Sequence, residues 1–88
     1  MLKKVIIVQN KLGLHARPCS LLVKAAGKFR SEFQIRKEKM EVNGKSILGV
    51  MMLAAEYGSE LELVFDGVDE EEAMETIVNL IESCFGEE

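Results

Sequence analysis

The single histidine of the sequence, His15, has neighbours that could take part in group-transfer chemistry. It lies in the stretch LGLHARPCS, residues 12–20, two positions before Arg17. An imidazole nitrogen is a nucleophile that can accept a phosphoryl group and release it again. A guanidinium group carries a permanent positive charge, and its planar donors match the oxygens of a phosphate. This combination predicts a site at which a phosphoryl group is bound or transferred.

The residues after His15 predict the beginning of a helix. Proline suits the first helical position, because its missing N–H has no partner there, and we assign Pro18 to that position. The helix is indicated by apolar residues at helical spacing, namely Leu21, Leu22, Ala25, Ala26 and Phe29. Free backbone N–H groups and the helix dipole favour an anion at such an N-terminus. Gly13 would allow a tight turn and the close approach of a partner.

Less specific interpretations of His15 also fit the sequence. A lone histidine before a helix is often an exposed bystander or a helix cap. A metal site would need further ligands, and the sequence has neither a second histidine nor a closely spaced cysteine pair. A hydrolase would need a nucleophile, a base and an acid, and no such set stands out. We therefore expect neither a metal ion nor another cofactor.

Length and charge limit the classes of function. A chain of 88 residues corresponds to one domain, which we place at residues 1–88. So small a domain favours an exposed site over a deep one. The net charge of -4 argues against non-specific binding of nucleic acid. A local basic patch could still bind an acidic partner, and its candidate members are Lys24, Lys28, Arg30 and Lys45.

The N-terminal residues and the cysteines bear on location. The apolar run from Val5 to Val8 is too short for the core of a signal peptide. No segment approaches the ~20 apolar residues that a membrane helix needs. Cys19 and Cys84 are far apart in the sequence, which is consistent with free thiols in a reducing compartment. We expect no membrane insertion and a cytoplasmic location.

Four segments have the composition of β-strands. The run at 4–8 is apolar and rich in β-branched residues, as in a buried strand. The other three alternate polar and apolar residues, which predicts that each has one buried face. The second and third segments are separated by a charged turn and are predicted to form a hairpin. The segments are KVIIV (4–8), EFQIRK (32–37), KMEVN (39–43) and ELELVF (60–65).

Two further helices complete the predicted order. Ser46 is the predicted N-cap of a helix over 47–57 that Gly58 ends. The longest helix is predicted over 67–85, with Asp69 and Glu72 as a capping pair at its start. The order βαββαβα predicts an α+β fold with its helices on one face of the sheet. The core stripe of the last helix is predicted to be Ala73, Ile77, Leu80, Ile81 and Cys84.

Two motifs resemble those of one known family. GLHARP, residues 13–18, resembles the phosphorylation-site signature of the histidine-containing phosphocarrier proteins, the HPr family of the bacterial phosphotransferase system. GKSILGVMML, residues 44–53, resembles the second motif of that family, and the length and the position of His15 agree as well. The resemblance implies an open-faced β-sandwich, in which three helices cover one side of a four-stranded antiparallel sheet.

The same resemblance implies a relay rather than an enzyme with turnover of its own. In this family Enzyme I, charged by phosphoenolpyruvate, phosphorylates the histidine at Nδ1, and the phosphoryl group then passes to a histidine of a IIA-type acceptor. Carried over to this sequence, His15 is the phosphoryl carrier and Arg17 is its electrostatic partner. The backbone N–H groups of Ala16 and Arg17 would cradle the phosphoryl oxygens.

Ser46 gains a second role from this resemblance. In relatives with the same motif, HPr kinase/phosphorylase phosphorylates the serine and so regulates the carrier. A phosphate is tolerated electrostatically at a helix N-terminus, so it would not need to unfold the helix. It would act by repelling an acidic partner surface and interrupting docking.

The helix after Ser46 is apolar on nearly all sides, which predicts a docking surface, because so short a helix can hardly bury both faces. Methionine suits a surface that must fit several partners. The residues assigned to the sheet side are Val50, Leu53 and Ala54, and the side of Met52 is left open. The residues predicted to contact partners are Ile47, Leu48 and Met51, together with Ser20 and Lys24 near the His15 end of the first helix.

Several alternatives remain open at this point. Leu12 precedes Gly13 where sugar-branch relatives often carry a small polar residue, and NKLGLHARP is closer to the nitrogen-branch (NPr) type. NGKSILGV, in contrast, resembles the serine-regulated carriers, so the sequence does not choose between sugar uptake and the nitrogen branch. Rival functions are a regulatory protein of the same fold that docks on a transcription factor or enzyme, and an unrelated ferredoxin-like module that binds a ligand or a metal. A relay surface that alternates between partners favours a monomer.

Overall fold

The described part of the computed structural model, residues 1–87, contains a four-stranded antiparallel sheet, three α-helices and one short 3-10 turn. The strand order is β1-β4-β2-β3, so the last strand lies between the first two. The predicted α+β fold with the order βαββαβα is confirmed. No helix in residues 1–87 is long and apolar enough to cross a membrane. The elements are β1 (Leu2–Ile7), α1 (Ala16–Ala26), β2 (Glu32–Lys37), β3 (Met40–Asn43), α2 (Ile47–Met52), β4 (Glu60–Asp66), α3 (Glu70–Glu82) and the turn Cys84–Gly86.

One face of the sheet is buried and the other is open, because polar and apolar residues alternate along the strands. Phe65 of β4 lies opposite Phe33 of β2, and their rings stack with centroids 4.7 Å apart. On the opposite face, Val5 and Ile7 of β1 are 53% and 45% exposed, so the run at 4–8 is not buried throughout as predicted. The inward residues of β4 are each at most 1% exposed, namely Leu61, Leu63 and Phe65.

Helices α1 and α3 supply most of the helical side of the core. Leu22 of α1 and Ile77 of α3 are completely buried, and both belong to the same apolar cluster as the sheet residues. Burying one such side chain contributes about 1.5–3 kcal/mol. Helix α2 buries only Val50, so its place depends more on the segments at its two ends than on its own core contacts.

Helix α1 begins earlier than the sequence indicated. Its first residue is Ala16, so Pro18 occupies the third helical position rather than the first. Proline is tolerated there because the first backbone N–H groups of a helix have no partner within the helix. The earlier start places the N–H groups of Ala16 and Arg17 directly at the helix N-terminus.

Helix α2 ends at Met52, well before the predicted end at residue 57, and Gly58 does not end it. Ala54 has a left-handed φ of 49° and is exposed, so its predicted packing on the sheet is wrong. Lys37 of β2 donates to the carbonyls of Leu53 and Ala54, at 3.1 and 3.3 Å. The left-handed residue and the lysine end the helix together, because the lysine binds carbonyls that a further helical turn would have used.

The predicted capping pair of Asp69 and Glu72 at the start of α3 is wrong. The Asp69 side chain makes no bond to its own helix. Its carboxylate accepts the backbone N–H groups of Arg30 and Ser31, both at 2.9 Å, and also the Ser31 hydroxyl. These bonds lower the pKa of Asp69 from 3.8 to about 2, and the Ser31 hydroxyl is the largest cause. Asp69 therefore ties the start of α3 to the segment between α1 and β2.

Asp69→Asn should lower the free energy of unfolding at neutral pH and reduce its dependence on acid. The carboxylate has a lower pKa in the folded protein than in the unfolded chain, so its stabilising contribution is complete above pH 3.8 and is lost as the pH falls through about 2. Urea unfolding of both proteins from neutral pH to about pH 2 measures the difference. Asp66→Asn, which neutralises an exposed carboxylate nearby, is the matched control. If the free energy of unfolding of Asp69→Asn changed with pH in the same way as that of the wild type, this role would be contradicted.

Candidate functional site

The loop before α1 is fixed to the segment that follows α2. Leu14 N–H donates to the Ala55 carbonyl at 2.8 Å, and Gly13 N–H donates to the Asn10 carbonyl at 3.0 Å. Gly13 has a φ of +69°, and a side chain here would place its Cβ only 2.5 Å from the Ala55 oxygen. Glycine is required because it alone combines this left-handed backbone with so close an approach. The group that approaches Gly13 so closely thus belongs to the same chain.

His15 is the N-cap residue of α1, but its side chain does not cap the helix. The backbone is extended, with φ -79° and ψ -172°, and the His15 carbonyl accepts the Cys19 N–H at 3.1 Å. The interpretation of the ring as a helix cap is therefore wrong. Ala16 and Arg17 precede Cys19 in the helix and are exposed, so their N–H groups are placed to bind an anion beside the ring.

Glu87, which no sequence pattern indicated, has a carboxylate that lies against the side chains of both His15 and Arg17. Glu87 Oε2 is 3.0 Å from His15 Nε2 and 3.3 Å from Arg17 Nη1. Arg17 Nη1 also donates to the Phe85 carbonyl at 3.4 Å. His15 Nε2 is covered, and the Glu87 oxygen is not aligned with it as in a directed hydrogen bond. The contact covers Nε2 but does not involve Nδ1, the other ring nitrogen. The His15 side chain as a whole is 38% exposed.

A second residue that the sequence analysis missed, Asn10, holds Glu87 in this position. The side chain of Asn10 is completely buried, and its Nδ2 donates to Glu87 Oε1 at 2.7 Å and to the Cys84 carbonyl at 3.1 Å. The bond from Asn10 is the largest cause that lowers the pKa of Glu87, and the charges of His15 and Arg17 act in the same direction. Glu87 is therefore an anion at neutral pH.

The segment that carries Glu87 has an unusual backbone. Cys84 and Phe85 both have a φ of 55°, a left-handed conformation that costs an L-residue roughly 1–2 kcal/mol. Helix α3 ends at Glu82, so Cys84 lies beyond it and is only partly buried, contrary to the predicted core stripe. Phe85 occupies the core instead and is 3% exposed. Burial of this ring holds the turn that brings Glu87 to His15.

An open depression on the surface contains the histidine. Its lining combines three charged side chains with the exposed Leu12, and such a shallow form suits a macromolecular partner better than an enclosed small molecule. The location agrees with the expectation of an exposed site. The lining residues are Lys11, Leu12, His15, Arg17, Gly86 and Glu87.

Helix α2 presents a continuous apolar surface, which we call the α2 patch and define by its four exposed side chains. Each of them is between 44% and 71% exposed, whereas Val50 of the same helix is completely buried. The predicted exposure of Ile47, Leu48 and Met51 is confirmed, and Met52 belongs to the exposed side as well. The α2 patch consists of Ile47, Leu48, Met51 and Met52.

The remaining predicted site residues lie around these features. Ser46 is the N-cap of α2, as predicted, because its Oγ accepts the Gly49 N–H at 3.1 Å. Ser20 and Lys24 are both exposed on α1, and Lys24 lies in the last turn of that helix. Ser20 is thus closer along the helix to His15, and Lys24 stands at the far end of α1 from it.

Comparison with known families gives one match across most of the chain. The family model described as the PTS HPr component phosphorylation site matches residues 2–83. The matched region includes every residue that the sequence analysis assigned to the site. Glu87 lies outside it.

Individual relatives and solved structures agree with this match. The chain is 51% identical to the phosphocarrier protein HPr of Neisseria meningitidis over 99% of its own length and 98% of that protein. It is 47% identical to HPr of Treponema pallidum over the full length of both. A crystal structure of HPr from Thermoanaerobacter tengcongensis superposes with a TM-score of 0.97 at 48% identity, covering 100% of this chain and 99% of that one. A second structure from that organism, described as an HPr dimer, has a TM-score of 0.80 at 47% identity, covering 99% of this chain and 100% of that one.

Gly13→Ala should destabilise the protein more than the same change at Gly58. Gly58 also has a left-handed φ, +86°, but no atom lies within 4 Å of the added Cβ, so Gly58→Ala should cost about 1–2 kcal/mol from the backbone alone. Gly13→Ala adds the contact with the Ala55 carbonyl and should also shift the NMR resonances of His15. Chemical denaturation of the two variants measures the difference. Equal losses of unfolding free energy in the two variants would show that the close approach of Ala55 does not exclude a side chain at position 13.

Proposed function

The chain belongs to the HPr family of phosphocarriers of the bacterial phosphotransferase system, and we propose that His15 is the residue that carries its phosphoryl group. The family members are phosphotransfer carriers rather than enzymes with turnover. The observation that supports His15 is the placement of its partly exposed ring at the N-terminus of α1, beside the Arg17 guanidinium. Of the two ring nitrogens, Nδ1 is the one that the Glu87 contact leaves uncovered.

In the proposed transfer, the lone pair of Nδ1 attacks the phosphorus atom held by the donor. The bond between phosphorus and the donor breaks as the new phosphorus–nitrogen bond forms, and the donor keeps the electron pair. The N–H groups of Ala16 and Arg17 and the Arg17 guanidinium stabilise the negative charge on the phosphoryl oxygens. Discharge to an acceptor is the same substitution in the opposite sense, so the carrier returns unchanged.

The partners that we propose are the phosphotransferase proteins of the family relay. Enzyme I, charged by phosphoenolpyruvate, would supply the phosphoryl group, and a IIA-type protein would receive it, all in the cytoplasm. The α2 patch would provide an apolar docking surface for both, and the exposed Ser20 and Lys24 of α1 would also contact the partners. We propose that the monomer is the form that alternates between them, although several related structures are described as dimers.

We also propose that phosphorylation of Ser46 regulates docking. The Ser46 hydroxyl lies at the beginning of α2, directly before the apolar side chains of the α2 patch. A phosphate would place about two negative charges at the edge of this patch, where the helix N-terminus tolerates them. An HPr kinase/phosphorylase would be the modifying enzyme.

His15→Ala should abolish phosphorylation, and Arg17→Ala should slow it without preventing it. Wild type incubated with Enzyme I and phosphoenolpyruvate should gain one acid-labile phosphoryl group, measured by intact mass. Arg17→Ala should lower the transfer rate about tenfold to hundredfold, because a fixed cation no longer stabilises the transferred charge. Arg30→Ala, which removes another exposed arginine, is the control for general charge. If wild type stays unlabelled while Enzyme I phosphorylates another carrier, the regulatory protein of the same fold becomes the better interpretation.

Ser46→Asp should weaken docking to Enzyme I and leave the fold intact. The carboxylate can accept the Gly49 N–H in place of the hydroxyl, so the thermal unfolding temperature should change little. Its charge at the edge of the α2 patch should raise the apparent KM for the carrier in the Enzyme I reaction. Thr76→Asp adds the same charge on α3 and serves as the control. A KM equal to that of the control would count against a regulatory serine.

A further inference from the structure

The two nitrogens of the His15 ring are in different surroundings. Nε2 is covered, with the Glu87 carboxylate 3.0 Å away, whereas this contact does not reach Nδ1. In a free histidine side chain Nε2 is the less hindered nitrogen, because Nδ1 lies beside the Cβ. The protein thus covers the nitrogen that would otherwise react more readily with a phosphoryl donor.

Asn10 fixes the group that provides this cover. Both N–H bonds of its amide are used on the same segment, one on the Cys84 carbonyl and one on the Glu87 carboxylate. Its side chain is completely buried, and within residues 1–87 its Oδ1 accepts no hydrogen bond. Burying an amide whose oxygen has no partner is unfavourable. The two bonds from Nδ2 are the interactions that offset this cost.

The segment from Cys84 to Glu87 needs such an anchor. Two consecutive non-glycine residues, Cys84 and Phe85, have left-handed backbones, and Asn10 binds the carbonyl of the first of them. Burial of the Phe85 ring fixes the segment at one point, and the bond from Asn10 to Glu87 fixes the carboxylate beyond it. Apart from the bond from Asn10, the Glu87 carboxylate faces the side chains of His15 and Arg17, and the Glu87 N–H donates to the Cys84 carbonyl at 2.9 Å.

We propose that Asn10 is a positioning residue that holds the Glu87 carboxylate over Nε2 of His15 and thereby directs phosphoryl transfer to Nδ1. The inference rests on the proposed role of His15 as the acceptor. When Nδ1 attacks a donor, the ring keeps its proton on Nε2 and becomes positively charged. The Glu87 carboxylate lies beside that proton, so it stabilises the charge in addition to blocking attack by Nε2.

Phosphoramidate tests the proposal without any partner protein. It phosphorylates imidazole directly: the ring nitrogen forms a bond to phosphorus, the phosphorus–nitrogen bond of the reagent breaks, and ammonia leaves with the electron pair. The complete chain is labelled with ¹⁵N-histidine and treated with the reagent, and NMR of the ring nitrogens gives the ratio of Nδ1 to Nε2 product. Wild type should give mainly the Nδ1 product.

Asn10→Ala and Glu87→Ala should each raise the share of the Nε2 product about tenfold, the scale expected when a hydrogen bond to a charged group is lost. Asn10 is buried and its variant is the more exposed to folding defects, so Glu87→Ala provides the same test at a surface position. Gln9→Ala and Glu82→Ala remove neighbouring exposed side chains of the same types and should retain the wild-type ratio. A purely structural role of Asn10 would lower the unfolding temperature and leave the ratio unchanged.

Three results would overturn the proposal: an unchanged ratio in both variants, a change in Asn10→Ala without a change in Glu87→Ala, or a wild type that is unlabelled or labelled mainly on Nε2. Failure of the acceptor role gives a different result. In that case Enzyme I with phosphoenolpyruvate would not label the wild type, while the phosphoramidate ratio would still respond to Asn10→Ala and Glu87→Ala.

Discussion

The hydrogen bond from Leu14 N–H to the Ala55 carbonyl joins the two halves of the functional surface. It holds the His15 loop against the segment that follows α2, and the close approach at Gly13 leaves little freedom for either to move separately. The histidine at the start of α1 and the apolar patch on α2 are therefore presented together. In the function that we propose, a partner docked on the patch would meet the ring at a fixed position, which would reduce the entropy that transfer otherwise costs.

The exposed position of His15 suits the role that we propose for it in a phosphocarrier. A relay must offer the same atom to a donor and then to an acceptor, so a deep site would hinder both exchanges. In that role, the helix N-terminus and Arg17 would provide charge stabilisation at the surface, where a domain of 88 residues has room for it. Stability is provided elsewhere, by the buried sheet face and by the bonds of Asp69 to the chain after α1.

Two opposite charges, those of Glu87 and Arg17, balance each other beside the His15 ring. Glu87 faces both His15 and Arg17, and Asn10 holds the carboxylate from the side away from solvent. The negative charge offsets the guanidinium in the unphosphorylated carrier. An incoming phosphoryl group meets this anion next to the cation that would bind it, so Glu87 both orders the site and competes within it.

The sequence alone was sufficient for the features that depend on neighbouring residues. Alternation along β2 and β4 predicted which of their side chains face the core, and helical spacing predicted that three helices exist. The motif around His15 places the ring, Arg17 and a helix start within three residues of one another. Ser46 was likewise recognisable as a cap from its place before α2. These patterns are local, because backbone geometry determines which nearby side chains share a face.

Only the tertiary structure decided the rest of the site. Asn10 and Glu87 are far apart in the sequence and meet because β1 leads into one side of the His15 loop while the turn after α3 returns to it. The early end of α2 depends on Lys37 from another element, and the bonds of Asp69 depend on the chain after α1. No local pattern encodes such contacts, because they depend on which distant segments the packed sheet brings together.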